Sequence, residues 1–380
     1  MSPNEGLDRK SDSPMIQRLY VHNFRCLENF ELKLKDMPST LLIGKNGTGK
    51  STIASVLEIL QSIGRGVNRV GSLVRSKDFV RGRSDVPIRV EIEVVLQKKL
   101  FKYTLALELP QQFKELRVSE EQLLVEEKPV YSRKEAEVTL HQQHNRGAAQ
   151  FLVDWYLVAL PVIQESSETD PLHLFKTWLA HTIILSPIPS FMTGESHGET
   201  LEPNRDGSNF GEWVTGVLGR YPAAYTLIEK YLREVMPDLR DFRNEVSGKD
   251  SKSMVIQFEE HQANLSVAFK DLSDGEKCFF LCAVVLAANK FYGPLFCFWD
   301  EPDNYLSLPE VGHFVMALRR SFLTTGQILV TSHNPEAIRR FSDENTIVLS
   351  RNSHLEPTVT RLLSENPIAG DLIDALICGE

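Results

Sequence analysis

Apolar residues in this chain recur at two periods, and the period changes along its length. Val90-Glu91-Ile92-Glu93-Val94 and Phe101-Lys102-Tyr103-Thr104-Leu105 alternate strictly, which predicts an antiparallel hairpin between Arg89 and Leu109. Strand-like pieces continue at Val118, Leu123 to Val125, Val130-Tyr131 and Val138 to Leu140. Ile53, Val56, Leu57 and Leu60 instead fall three and four apart, predicting a helix over Lys50 to Ile63. Phe151 to Leu160, Pro171 to His181, Glu212 to Leu218 and Pro222 to Met236 also read as helices, and Thr193 to Ser208 reads as a loop. Met254 to Phe258 and Leu265 to Phe269 read as a second hairpin. Three short runs have uninterrupted apolar centres: Leu41-Leu42-Ile43, Leu295 to Trp299, and Gln327 to Thr331, whose centre is Ile328-Leu329-Val330. Such runs suit strands covered on both faces of a parallel sheet. The pattern predicts an α/β fold whose parallel sheet is interrupted by an antiparallel β lobe.

The first apolar run leads into Gly44-Lys45-Asn46-Gly47-Thr48-Gly49-Lys50-Ser51, followed by Thr52. Strand, glycine-rich loop and helix start are the context a phosphate loop of the form G-x-x-x-x-G-K-[ST] requires. Glycines let successive N–H groups turn inward, and the helix N-terminus adds partial positive charge. Lys50 is expected to reach the β- and γ-phosphates of ATP, and the Ser51 hydroxyl to bind Mg²⁺.

Leu295 to Trp299 ends in Asp300-Glu301-Pro302, and Gln327 to Thr331 ends in Ser332-His333-Asn334. Asp300 is the expected Mg²⁺ ligand and Glu301 the expected general base for an attacking water. His333 is placed to contact the γ-phosphate and position that water. Before both of these runs, Leu272-Ser273-Asp274-Gly275-Glu276-Lys277 precedes an apolar stretch, Phe279 to Ala288. A serine with N–H groups at a helix start forms an anion site. Ser273 with Glu276 three residues on is equally a capping box, and both roles can hold together.

With these motifs in that order, the chain resembles the ABC-type ATPase heads of the SMC, RecF and OLD group. It is most similar to the AAA_15/AAA_21-like ATPases of bacterial anti-phage systems of Septu, PARIS or retron type. The resemblance covers residues 14 to about 110 and about 200 to 350. It implies a P-loop NTPase fold, an ABC-type head with an antiparallel β lobe and an inserted helical subdomain. Leu272 to Glu276 resembles the signature that contacts the γ-phosphate held by an opposite protomer, through Ser273 and the Gly275 backbone with Glu276 beside them. Ile16 to Phe24 followed by Arg25 resembles the opening strand of such heads, which implies Arg25 near the phosphates. The expected boundaries are a disordered lead over 1–13, a first head segment over 14–147, a helical insert over 148–250, and a second head segment over 251–380.

Two departures from the family pattern stand out. Leu306 is followed by Ser307 where the D-loop carries Asp or His, and no glutamine occupies the Q-loop region, Gln61 lying on the phosphate-loop helix. Slow or partner-dependent hydrolysis is expected. No sustained heptads predict an SMC-type coiled coil, and the stretch after His333 is too short for the Toprim nuclease domain of OLD proteins. His141, His144 and Asn145 resemble a nuclease motif only faintly, without a ligand set to support it.

Composition adds limits. At 380 residues, 42% hydrophobic and 24% charged, the chain resembles an ordinary globular protein. The polar N-terminus lacks a signal-peptide core and no run is long enough to span a bilayer, so a cytoplasmic protein without membrane contact is expected. Cys26, Cys278, Cys282, Cys297 and Cys378 lie mostly in apolar stretches without metal-ligand spacing, as expected of reduced, buried thiols. A net charge of −9 opposes autonomous nucleic-acid binding, although Arg65, Arg69, Arg75, Lys77, Arg81 and Arg83 form a basic stretch that DNA or only solvent could face. The expected function is an ATP-hydrolysing sensor or clamp, a homodimer or higher even oligomer, that controls a separately encoded effector nuclease in anti-phage defence. A RecF-like repair clamp, an ATP-holding regulatory module and, less well matched, a small-molecule kinase are the alternatives.

Overall fold

The computed structural model describes residues 13–141, 149–341 and 343–365. The N-terminal lead to residue 12, His144, Asn145 and Cys378 lie outside the described residues. The chain divides into two compact units, one running through Thr182 and resuming at Asp343, the other spanning Ile183–Ser342. The helical insert expected over 148–250 therefore straddles both.

In the first unit, β1 (Met15–His22), β2 (Phe30–Lys33), β3 (Ser39–Ile43), α1 (Lys50–Gly64) and the single turn α2 (Val70–Leu73) come first. An antiparallel run follows: β4 (Ile88–Leu96), β5 (Lys99–Glu108), β6 (Arg117–Val125), β7 (Lys128–Lys134), β8 (Glu137–Leu140) and β9 (Ala149–Leu152). α3 (Pro171–His181) closes this part. The sheet order is β2-β1-β4-β5-β6-β7-β8-β9. The alternation in β4 explains its burial: Ile88, Val90, Ile92, Val94 and Leu96 face the core while the residues between them are half exposed. Ile92 pairs with Tyr103 and Val94 with Phe101 across the hairpin. On α1 the predicted stripe of Ile53, Val56, Leu57 and Leu60 is buried. Gln61 is buried too and donates to the Thr182 carbonyl at 2.5 Å, a structural role.

The predicted helix over Phe151 to Leu160 is a correction. Phe151 lies in β9, paired with Val138 of β8, and the residues after Leu152 run through turns and an isolated bridge at Leu157 rather than a helix. The cause is tertiary. The Glu121 carboxylate, fully buried, accepts from the backbone N–H of Ala159 at 2.7 Å and of Leu160 at 2.8 Å. It also accepts from the Tyr103 and Tyr131 hydroxyls at 3.1 and 2.7 Å. A buried carboxylate in need of donors thus recruits backbone groups that a helix would have used.

In the second unit, β10 (Ile183–Leu185), β11 (Glu195–Ser196), α4 (Phe210–Arg220), α5 (Ala224–Val235), β12 (Leu239–Val246), β13 (Lys252–Glu260) and β14 (Ala263–Ala268) lead to α6 (Asp274–Phe291). Then come β15 (Phe296–Trp299), α7 (Leu308–Thr324), β16 (Gln327–Thr331) and α8 (Pro335–Arg340). β10, β15 and β16 are parallel, with Leu185 opposite Trp299 and Trp299 opposite Val330. α6 is buried continuously from Lys277 to Asn289, as a helix apolar on all faces should be. β13 pairs antiparallel with β11, β12 and β14.

The chain then completes the first unit with β17 (Thr346–Ser350), parallel to β3, and β18 (Val359–Leu362), antiparallel to β17. Among the described residues, no helix is long and apolar enough to cross a membrane.

Candidate nucleotide site

The phosphate-loop residues sit where β3 turns into α1. Gly49 is the N-cap of α1 in a left-handed conformation, φ 103°, and no side chain caps the helix. A Cβ there would lie 2.9 Å from the Cys26 sulfur, and one at Gly44 would lie 2.4 Å from the Leu349 carbonyl oxygen. Glycine is required at Gly44 by the backbone of Leu349, and at Gly49 by its left-handed conformation and the close Cys26 sulfur. Lys50 is buried and donates to the Gly44 carbonyl at 2.7 Å, so its ammonium spans the loop. Thr48 donates its hydroxyl to the Lys45 carbonyl at 2.8 Å and tightens the turn. An uncapped helix N-terminus, a curled glycine loop and a lysine across it fit a polyphosphate.

Arg25 has φ 52° and its guanidinium donates to Asp78 at 2.9 Å and to the Ser55 hydroxyl at 3.0 Å. Ser55 in turn donates to the Ser51 carbonyl at 3.0 Å, so Arg25 lies one helical turn from the Ser51 backbone. The basic stretch is offset in part. Arg81 and Arg83 both pair with Glu28 at 2.5 Å, and Arg69 pairs with Glu115 at 3.2 Å.

In the second unit, β15 and β16 end side by side, which gathers Asp300, Glu301 and His333. Thr331, fully buried, links the two acids: its hydroxyl donates to Asp300 at 2.6 Å and accepts from the Glu301 N–H at 2.9 Å. Glu301 sits at φ 49°, left-handed and therefore strained for a non-glycine residue, at a cost of about 1–3 kcal/mol. Both of its carboxylate oxygens are engaged. Asn304 donates to one at 2.7 Å, and His333 Nε2 lies 3.3 Å from the other. Below them the buried Asp303 accepts from the Ser332 hydroxyl at 2.8 Å, and burial pushes its carboxyl pKa up. Asn304, Thr331 and Asp303 were not singled out by motif. A hydroxyl pair directly before His333 and an amide three residues after Glu301 are the signals that could have marked them.

Ser273 caps α6 through a reciprocal box. Its hydroxyl accepts from the Glu276 N–H at 3.3 Å, while its own N–H and hydroxyl donate to the Glu276 carboxylate at 2.8 and 2.7 Å. A Cβ on Gly275 would come 3.0 Å from the Tyr305 carbonyl oxygen, so this helix start abuts the turn after Asp300. Ser307 donates its N–H and hydroxyl to Glu310 at 2.8 and 2.6 Å, capping α7. Among the described residues, no group of three or more His, Cys, Asp or Glu is arranged to hold a metal by itself.

The fold is that of SMC heads. A crystal structure of the SMC head bound to the C-winged helix domain of ScpA is similar with a TM-score of 0.53 at 13% identity, over 92% of this chain and 98% of that one. The Pyrococcus furiosus Smc head domain, with an extended coiled coil and bound to the C-terminal domain of ScpA, gives 0.55 at 12% identity, over 93% and 97%. At such identity these likenesses speak for the mixed α/β P-loop head fold alone. Over residues 39–339 the chain matches, and belongs to, the AAA_21 family, described as "AAA domain, putative AbiEii toxin, Type IV TA system". A short segment resembles the OLD nuclease of Thermus scotoductus, 46% identical over 46 residues, which is 12% of this chain and 8% of that protein.

Proposed function

We propose that this AAA-type protein binds and hydrolyses ATP, using Lys50 and the loop Gly44 to Thr52 for the phosphates and Glu301 as general base. Ser51 and Asp300 are the proposed Mg²⁺ ligands, and the ion when bound would screen phosphate charge. Glu301 takes a proton from water as its oxygen attacks the γ-phosphorus, and the bond to the ADP oxygen breaks. Asn304 and His333 orient the carboxylate for that transfer. The observation that carries the reading is the Glu301 cluster: a strained backbone, with both carboxylate oxygens held by side chains at the ends of two parallel strands.

Further parts of the proposal are a head-to-head dimer closing on ATP through Ser273 and Gly275, and control of a separately encoded effector nuclease in anti-phage defence. Exposed Tyr305 beside the α6 start, with exposed Leu308 at the start of α7, supports a protein contact there, and the partial likeness to an OLD nuclease supports the nuclease link. The ion pairs of Arg81 and Arg83 with Glu28 weigh against a repair clamp that binds DNA by itself through this stretch.

The test is Glu301→Gln with purified protein. Turnover should fall at least about a hundredfold while ATP stays bound and dimer accumulates; normal turnover would overturn the assignment of the base. Ser273→Arg should block dimer formation but leave ATP binding to the monomer intact.

A further inference from the structure

The two carbonyls at the centre of the phosphate loop are both capped by one distant segment, the loop 351–358 between β17 and β18. Arg351 spreads its guanidinium over three carbonyls: Gly47 at 3.4 Å, Glu356 at 2.8 Å and His354 at 2.6 Å. Thr358, 2% exposed, donates its hydroxyl to the Thr48 carbonyl at 2.8 Å and its N–H to the Cys26 carbonyl at 3.3 Å. On the outer side Arg81, itself left-handed at φ 51°, donates to the Leu355 carbonyl and to Glu28.

Peptide groups are planar and trans, so a carbonyl fixed in one direction fixes the next N–H in the opposite one. Holding the Gly47 carbonyl outward turns the Thr48 N–H back onto Lys45, 3.3 Å away, and closes the loop. Holding the Thr48 carbonyl on Thr358 directs the Gly49 N–H away from Thr358, at the uncapped start of α1. The loop conformation that phosphate needs is thus set from behind, before any anion arrives.

We propose that the segment 351–358 is a strap that preorganises the phosphate loop, with Arg351 and Thr358 as positioning residues and Arg81 as the strap's outer anchor. The proposal rests on the nucleotide reading above for its consequence and on the loop geometry for its substance. Arg81 belongs to the basic stretch, so a polyanion or acidic partner that drew Arg81 off Leu355 would loosen the same loop.

The experiment uses the full chain and two readouts. Hydrogen exchange in nucleotide-free protein should speed up over peptides covering 44–52 in Arg351→Ala and in the isosteric Thr358→Val. In parallel, the Kd for ATP should rise about five- to tenfold per variant, the size expected for one lost hydrogen bond. Arg351→Lys keeps the charge but cannot span three carbonyls, so it should behave like Arg351→Ala. Full recovery of ATP affinity by the lysine would reduce Arg351 to a charge and overturn the strap. Unchanged exchange over 44–52 in both Arg351→Ala and Thr358→Val would overturn it outright. Absence of ATP binding by the wild-type chain would instead refute the nucleotide reading, while the exchange data would still decide the strap.

Discussion

Thr331→Val is the sharpest perturbation of the acidic cluster, because it removes one oxygen and preserves shape. Thr331 is fully buried and its hydroxyl serves two partners, Asp300 at 2.6 Å and the Glu301 N–H at 2.9 Å. A hydrogen bond to an ionised carboxylate contributes about 1.5–3 kcal/mol, and a donor left without a protein partner costs about 1–3 kcal/mol more. Discounting the second because Glu301 is partly exposed, the expected loss of stability is about 3 kcal/mol. Thr331→Ser keeps the hydroxyl and deletes one buried methyl, a loss of about 1 kcal/mol.

The two variants should therefore differ by about 2 kcal/mol, read from urea midpoints at constant m-value. Catalysis supplies the second readout. Without Thr331 the Glu301 backbone loses the contact that holds it at φ 49°. A carboxylate free to relax from that geometry should lower kcat about ten- to a hundredfold, while Thr331→Ser stays near wild type. Wild-type stability of the valine variant would show that the hydroxyl carries no net energy. Wild-type kcat in Thr331→Val would show that the bridge between the two acids does not position the base.

Other outcomes follow from the same structure. Asn304→Ala should lower kcat about tenfold with little change in KM, since it removes a donor from Glu301 and none from the phosphate loop; a change in KM alone would contradict that role. Glu121→Ala should cost about 3–5 kcal/mol in denaturation, because Arg133 remains fully buried beside the lost carboxylate; a loss under 1 kcal/mol would mean the cluster relaxes. Stability should fall as pH rises above about 10, the value of an unfolded tyrosine, because burial and then Glu121 push the Tyr103 and Tyr131 hydroxyls well above it. The unfolded chain then releases protons that the folded chain keeps, which favours unfolding by about 1.4 kcal/mol per pH unit for each tyrosine. Buried Cys282 and Cys297, whose thiols are also pushed up, add to this fall. Urea midpoints at pH 9 and 11 measure the drop, which should be shallower in Tyr131→Phe.

Much of the fold was legible because its signals are local. The alternation of β4 and β5, the stripe on α1 and the apolar runs of β3, β15 and β16 each lie within one element, and the observed elements follow them closely. The region Phe151 to Leu160 was misread because its decisive partner is Glu121, a residue of another strand with no periodic signature at the segment itself. Ser307 shows the converse. As a departure from a family pattern it points to slow or partner-dependent hydrolysis, and its local chemistry, a serine three residues before Glu310, identifies a helix cap as well.

The candidate site divides along the same line. Motif spacing marks Lys50, Asp300, Glu301 and His333 as candidates because each stands at the end of a strand or the start of a helix that the hydrophobic pattern already locates. It marks Asn304 only weakly, as one amide in a polar turn three residues after Glu301, and it does not mark Arg351 and Thr358, which sit in a loop with no period at all. Their contribution is angular: they aim a carboxylate or a peptide plane, and many sequences could supply the same donor from elsewhere. A motif records the groups that must touch the substrate, where chemistry allows few substitutes. The groups that hold those in place are chosen by whichever backbone passes close enough, and that proximity exists only once the chain has folded.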